Sequence, residues 1–332
     1  MYYNTYPPFP PQSEREIRLQ QQKAAVNSTA NLWGFTGTIA NIVISVIAVV
    51  LSFVLVRYTY LDKFVQSPTG QLVMQIILSV LMFTVPYIIA ARTAKMRVSS
   101  LVSVKRVRGG LFFPLVFISL GASVIINQLT ENFVRFLNMF GINPQSADFE
   151  IPSDAFGILI YVFTISVVPA VVEEFAMRGI VMGSLRRYGN AFAVIASSII
   201  FGLMHGNFVQ IPFAFALGCV LGYIDIVTDS IWPSVTVHFI NNLMSAVQQV
   251  VIEKQGESAG IASVAILFSV SLALGLVGFF MLCRRFKHPF APMEETVDIP
   301  LGTALKSFCS SAGMIVAYII FGGSAVAMLF LY

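Results

Sequence analysis

Apolar runs of about 20 residues recur along the chain, the length a helix needs to cross a hydrocarbon core roughly 30 Å thick. They fall near 33–56, 70–91, 111–129, 157–177, 191–206, 208–226, 232–251, 261–282 and 304–331. In lipid a segment must satisfy its own backbone N–H and C=O groups, so runs of this kind are helices. A membrane β-barrel would alternate apolar and polar residues over segments of about 10, and no such alternation occurs. Composition agrees, with 57% hydrophobic and only 11% charged residues, against roughly 25% charged in soluble domains. The expectation is an all-α, polytopic transmembrane helix bundle of eight or nine spans, the fifth short for a full crossing. A polar tail over residues 1–31 precedes a single transmembrane domain over 32–331.

Charge sorting gives an orientation. With nine spans and a cytosolic N-terminus, the inside loops carry Arg92, Lys95, Arg97, Lys105, Arg106 and Arg108, then Arg186 and Arg187, then Arg284, Arg285 and Lys287. The outside loops carry only Arg57, Lys63, Arg135 and Lys254. This is the positive-inside bias of a plasma-membrane protein with its N-terminus in the cytosol. The weak point is the inside loop after the sixth span, with Asp225 and Asp229 and no basic residue. The net charge of +4 is explained by this sorting, so no nucleic-acid partner is implied. The tail opens with Tyr6-Pro7-Pro8-Phe9-Pro10-Pro11, has no signal-peptide pattern, and reads as a mobile cytosolic segment with an amphipathic turn or two. Cys219, Cys283 and Cys309 lack any disulfide or metal-ligand spacing and read as small apolar residues.

Ionisable groups inside a span cost roughly 2.5–3.5 kcal/mol each on insertion scales, which makes their positions informative. Three places stand out. Glu173-Glu174-Phe175-Ala176-Met177-Arg178 ends the fourth span, and Glu174 and Arg178 are i,i+4 neighbours that can pair, with Glu173 turned about 100° away. Phe201-Gly202-Leu203-Met204-His205 ends the fifth. His238 and Asn242, again i,i+4, sit in the seventh. Taken singly, each has a plain structural reading: an interfacial salt bridge, a hydrogen-bonded helix contact, polar helix packing. Taken together, the only two histidines within spans and the two carboxylates well inside a span can satisfy one another in one interior cavity. The third histidine, His288, lies in a basic loop. A carboxylate beside an imidazole can deprotonate a water, and a second imidazole with an amide can donate to an oxyanion. No serine or cysteine is placed as nucleophile, which favours attack by water.

Glu173-Glu174-x-x-x-Arg178, Phe201-x-x-x-His205 and His238-x-x-x-Asn242, in this order on separate spans, resemble the CPBP family. Its members are the CAAX prenyl endopeptidases of Ras-converting-enzyme type and the bacteriocin-processing Abi proteins. The resemblance covers about residues 155–250. It implies a conical catalytic cavity among the central helices, with Glu173 and His205 activating water, His238 and Asn242 holding the oxyanion, and Glu174 and Arg178 in support. It implies no cofactor, with zinc on the two histidines and a glutamate as the alternative. The short loops suggest a bacterial member, for which a leader-bearing or membrane-associated peptide is the expected substrate, cut near the inner face. Two other classes stay open: a non-proteolytic regulator of a sensor kinase or cell-wall machinery, and a proton-coupled transporter, although no internal symmetry of the transporter kind is visible. Expected partners are the bilayer and a peptide or protein substrate. Gly218-x-x-x-Gly222 is a small-residue helix contact, within the chain or with a second copy as a homodimer.

Overall fold

Ten helices carry the architecture in the computed structural model, which describes residues 14–329 apart from 59, 143, 145–148, 287–296 and 298. The Pro-rich stretch and His288 lie outside the described residues. In chain order the helices are α1 (Glu14–Tyr58), α2 (Pro68–Thr93), α3 (Gly109–Asn138), α4 (Ala155–Tyr188), α5 (Asn190–Met204), α6 (Gln210–Thr228), α7 (Trp232–Gln255), α8 (Glu257–Arg285), α9 (Leu301–Cys309) and α10 (Ala312–Met328). Among the described residues no strand forms; one isolated bridge joins Val104 to Ser230.

Seven of these helices are long and apolar enough to cross a membrane, and α9 with α10, bent by 60°, makes an eighth if counted as one span. The fifth apolar run departs from a full crossing. α5 has 15 residues, about 22 Å of rise, and stops beside Gly37 of α1 and Tyr87 of α2. The polar tail also differs from expectation. From Glu14 onward it is helical and continuous with the first span, giving a 45-residue helix. Residues 14–25 hold no proline or glycine and are rich in Glu, Arg, Leu, Gln and Ala, all good helix formers, and Glu14 and Glu16 in the first turn complement the helix dipole. Val26, Ala30 and Trp33, at helical spacing, are fully buried.

All the basic loops come to one end of the bundle. Ile231 N–H donates to Ser103 O at 3.0 Å, and the Ser103 hydroxyl donates to Asp229 O at 2.6 Å. The Asp229 carboxylate accepts from Lys105 and, at 3.0 Å, from Arg186. Arg285 lies against Gly110. The acidic turn that breaks the charge pattern in sequence is therefore neutralised in space by two neighbouring loops. Asp229 itself has a positive φ of 47°, a left-handed conformation that Asp tolerates better than most residues, and this lets α6 reverse into α7 within three residues. At the opposite end Lys254 reaches the carbonyls of Pro152 and Ser153.

Backbone contact sets how α3 and α8 pack. A side chain on Gly121 would meet the Gly275 backbone at 3.0 Å, and one on Gly278 would meet Pro114 O at 2.6 Å. The two helices thus touch in the half nearer the basic loops. Towards the other end they line the two sides of a cavity.

The two hydrogen bonds from Lys105 and Arg186 hold the Asp229 carboxyl below the usual carboxylate range. A depressed folded pKa stabilises above the unfolded value, about 3.9 for Asp, and the contribution disappears as pH falls through the folded value. The melting temperature of the wild type in detergent should exceed that of Asp229→Asn at neutral pH. The gap should close as the pH falls below the unfolded value and through the lowered folded one.

Candidate active site

The local fold of α4 positions two adjacent glutamates differently. The helix carries π-helical stretches at Phe163–Val167 and at Phe175–Met182, the second beginning directly after Glu174. Insertions of this kind rotate the helix face locally and recur at functional sites. Glu174 points into the protein and is wholly buried, with Arg178 Nη1 3.1 Å from its Oε1. Arg178 also donates through Nη2 to Gly218 O at 3.4 Å and lies 4.3 Å over the Phe201 ring. Gly218 permits this approach: a Cβ there would stand 3.3 Å from Nη2 and 3.0 Å from the Ser198 hydroxyl. Gly222 packs on Val194 and Met182, so the Gly218-x-x-x-Gly222 face is occupied within the chain.

Glu174 holds His238. The same Oε1 is 2.9 Å from His238 Nδ1. An ionised carboxylate paired with Arg178 only accepts, so His238 carries its proton on Nδ1. His238 Nε2 then faces Glu173 Oε2 at 3.9 Å, beyond direct hydrogen-bond range. Glu173 Oε2 is buried and accepts no hydrogen bond from the protein. Buried polar atoms without partners are rare and call for an explanation.

His205 caps the C-terminal end of the short helix α5. Its Nδ1 is 2.8 Å from Phe201 O, so the carbonyl accepts from Nδ1–H and leaves Nε2 as the unprotonated nitrogen of the neutral ring. Gly206 follows with a φ of +56°, a turn that ends the helix there at little cost for glycine. The Phe201 ring stands edge-on to His205 at 4.9 Å and to His238 at 5.9 Å between centroids. It separates the two imidazoles and seats the guanidinium. On α7, Asn241 donates through Nδ2 to Asn242 Oδ1 at 3.3 Å, leaving the Asn242 NH₂ available to donate elsewhere.

Glu173, His205, His238 and Asn242 all line one cavity of about 880 Å³. Its floor is Phe201, Glu173 and His238. Its walls are polar on one side (Asn127, Gln128, Glu131 on α3, and Asn241, Ser245, Gln248 on α7) and apolar on the α8 side. His238 lies about 10 Å of helix rise from Ile231, and the cavity extends from there towards Gln248, away from the basic loops. Among the described residues no three His, Cys, Asp or Glu side chains group to hold a metal.

Sequence reasoning missed Asp225, which it placed in a loop. α6 continues to Thr228, and Asp225 is an interior residue, 3% exposed, accepting from the Ser234 hydroxyl at 2.9 Å. Ser234 is one turn before His238 on α7, so a third carboxylate backs the Glu174–His238 pair. The i,i+4 spacing of Ser234 and His238 was the available signal.

Carboxylates and imidazoles thus meet over one cavity in a polytopic bundle of membrane-spanning length. Residues 155–244, which include every motif residue above, match the family described as "Type II CAAX prenyl endopeptidase Rce1-like". This segment, a little over a quarter of the chain, is similar to that family of membrane proteases. It is also 26% identical over 113 residues to a Bacillus subtilis (strain 168) protein described as "Putative membrane peptidase YdiL"; the aligned region is 33% of this chain and 46% of that relative. The chain thus spans less than half the length of that relative. No solved structure matches it.

Removing one partner of a buried ion pair leaves the other charge uncompensated, at about 3–5 kcal/mol. Arg178→Met should therefore destabilise by about that amount in detergent denaturation, and adding Glu174→Gln should recover part of it. Additive losses in this double-mutant cycle would show that the pair is not coupled.

Proposed function

We propose that this protein is an intramembrane endopeptidase that hydrolyses a peptide bond of a membrane-associated or leader-bearing peptide with a water activated by Glu173 and His205. The observation that carries the reading is the buried, unpartnered Glu173 Oε2 in a cavity shared with His205, whose Nε2 is the open nitrogen.

A water between Glu173 and His205 Nε2 gives up a proton as its oxygen attacks the scissile carbonyl carbon. The negative charge moves to the carbonyl oxygen, where the Asn242 NH₂ donates and, when the ring takes up a second proton, so does His238 Nε2–H. Collapse of the tetrahedral intermediate breaks the C–N bond, and the proton taken from water passes to the leaving amine. Glu174 orients His238, and Arg178 pairs with Glu174. The amide-rich wall, able both to donate and to accept, suits a peptide backbone, and the apolar α8 wall suits its membrane-embedded side chains.

The protein sits in the plasma membrane with its N-terminus and the basic loops in the cytosol. The cavity then occupies the outer half of the bundle, so the scissile bond reaches the site from that side or laterally, although the catalytic residues lie closer to the inner face. In a cysteine-free background, a cysteine at Ser100 should react with an impermeant maleimide only in inverted vesicles, and one at Ser153 only in intact cells. The reverse pattern would invert the assignment.

Activity is tested with the purified chain in nanodiscs and a set of fluorogenic membrane-anchored peptides. Glu173→Ala, His205→Ala and His238→Ala should each lower kcat/KM by about 10²–10⁴, and Asn242→Ala by about 10²–10³. Wild-type and Glu173→Ala protein cleaving at the same rate would end the proposal.

A further inference from the structure

A second large cavity lies on the other side of the bundle, between α1 and α2, and takes no part in the site above. It has a volume of about 920 Å³. Phe35, Ile39 and Val43 of α1 and Val85 and Ile89 of α2 line it, and all five are exposed, so on a spanning helix pair they face lipid. Along α2 it runs from Ala94 to Leu81, about 20 Å of helix rise. That exceeds half of a hydrocarbon core of roughly 30 Å, so the chain of a lipid from one leaflet fits along it.

The groove is not apolar throughout. Its end at the basic loops is formed by Ser28, Thr29 and Arg187. Arg187 is exposed and donates to the Thr29 hydroxyl at 3.0 Å while lying 4.8 Å over the Tyr188 ring. Its neighbour Arg186 is committed to Asp229, but Arg187 has no carboxylate partner among the described residues. The Thr29 contact and the Tyr188 ring hold the guanidinium at the mouth, with most of its five N–H donors open. An acyl-length groove ending at such a cation, on the end that collects the basic loops, has the charge and shape of a lipid headgroup site.

We infer that this groove binds one anionic phospholipid, its acyl chain between α1 and α2 and its phosphate on Arg187. Neutral lipid would fill the same apolar groove but leave the guanidinium without a counter-charge.

Trp33, buried on the inward face of α1 next to the groove, reports occupancy. The full chain carrying Trp232→Phe, so that Trp33 is the sole tryptophan, is placed in nanodiscs of phosphatidylcholine. Phosphatidylglycerol or additional phosphatidylcholine with brominated acyl chains is then titrated in. Quenching by the brominated phosphatidylglycerol should reach half its maximum at about tenfold lower mole fraction than quenching by brominated phosphatidylcholine. Arg187→Gln, an exposed position that folding tolerates, should abolish that preference, and Arg187→Lys should keep part of it. Ala90→Phe, which fills the groove, should lower quenching by both lipids. Equal quenching by the two lipids, or a preference unchanged in Arg187→Gln, would overturn the inference. So would light scattering that shows a dimer dispersed by Ala90→Phe with no lipid preference, since a second copy would then cover the groove.

Discussion

The arrangement of the site depends on one buried cation. Arg178 is almost fully enclosed and is held between the Glu174 carboxylate, the Gly218 carbonyl and the face of the Phe201 ring. Through Glu174 it fixes which nitrogen of His238 carries the proton, and through Phe201 it touches the residue that stands between both histidines. The groups come from four helices: α4 supplies the guanidinium and the carboxylate, α6 the carbonyl, α5 the ring and α7 the imidazole. A charge that would be prohibitive alone in lipid becomes the element that orders four helices around it. Ionic groups of this kind are weak evidence for net stability, and here their value lies in geometry.

The cavity owes its shape to what is missing. α3 and α8 close to backbone contact at Gly121, Gly275 and Gly278 because no side chain intervenes, and beyond that contact they stand on either side of the cavity. α5 adds to the opening by stopping short. Its 15 residues, ended by Gly206, leave the His205 imidazole at the cavity wall.

Much of this was legible in the sequence because lipid makes polar residues costly. The long apolar runs gave the helices, and the few ionisable residues inside them gave Glu173, His205 and His238, which the structure brings to one cavity together with Asn242, and Glu174 and Arg178, which are buried behind it. What was not legible was relational. Spacing alone pairs Glu174 with Arg178 but does not say that Glu174 also holds His238, or that Glu173 faces His238 across 3.9 Å, because the π-helical turns of α4 shift side-chain directions in a way no i,i+4 rule encodes. Asp225 looked like a loop residue because it sits at the very end of its apolar run, while its helix continues two residues beyond that run to Thr228. The helical start of α1 at Glu14 was hidden by polarity, which marks solvent exposure and not the absence of structure. The loop after α6 looked misplaced on charge until Lys105 and Arg186, distant in sequence, were seen beside Asp229.

That same cluster of loops has a bearing on the membrane as an insulator. A cleft walled by Asn, Gln and Ser side chains draws water deep into the bundle, and a deep aqueous recess would discharge ion gradients if it continued through. Here it stops against the Phe201 ring and the tightly packed segment behind it, while the strapped turns around Asp229 seal the remaining thickness. On the proposed function, the fold admits the water that hydrolysis would consume from one side and still leaves the bilayer electrically intact.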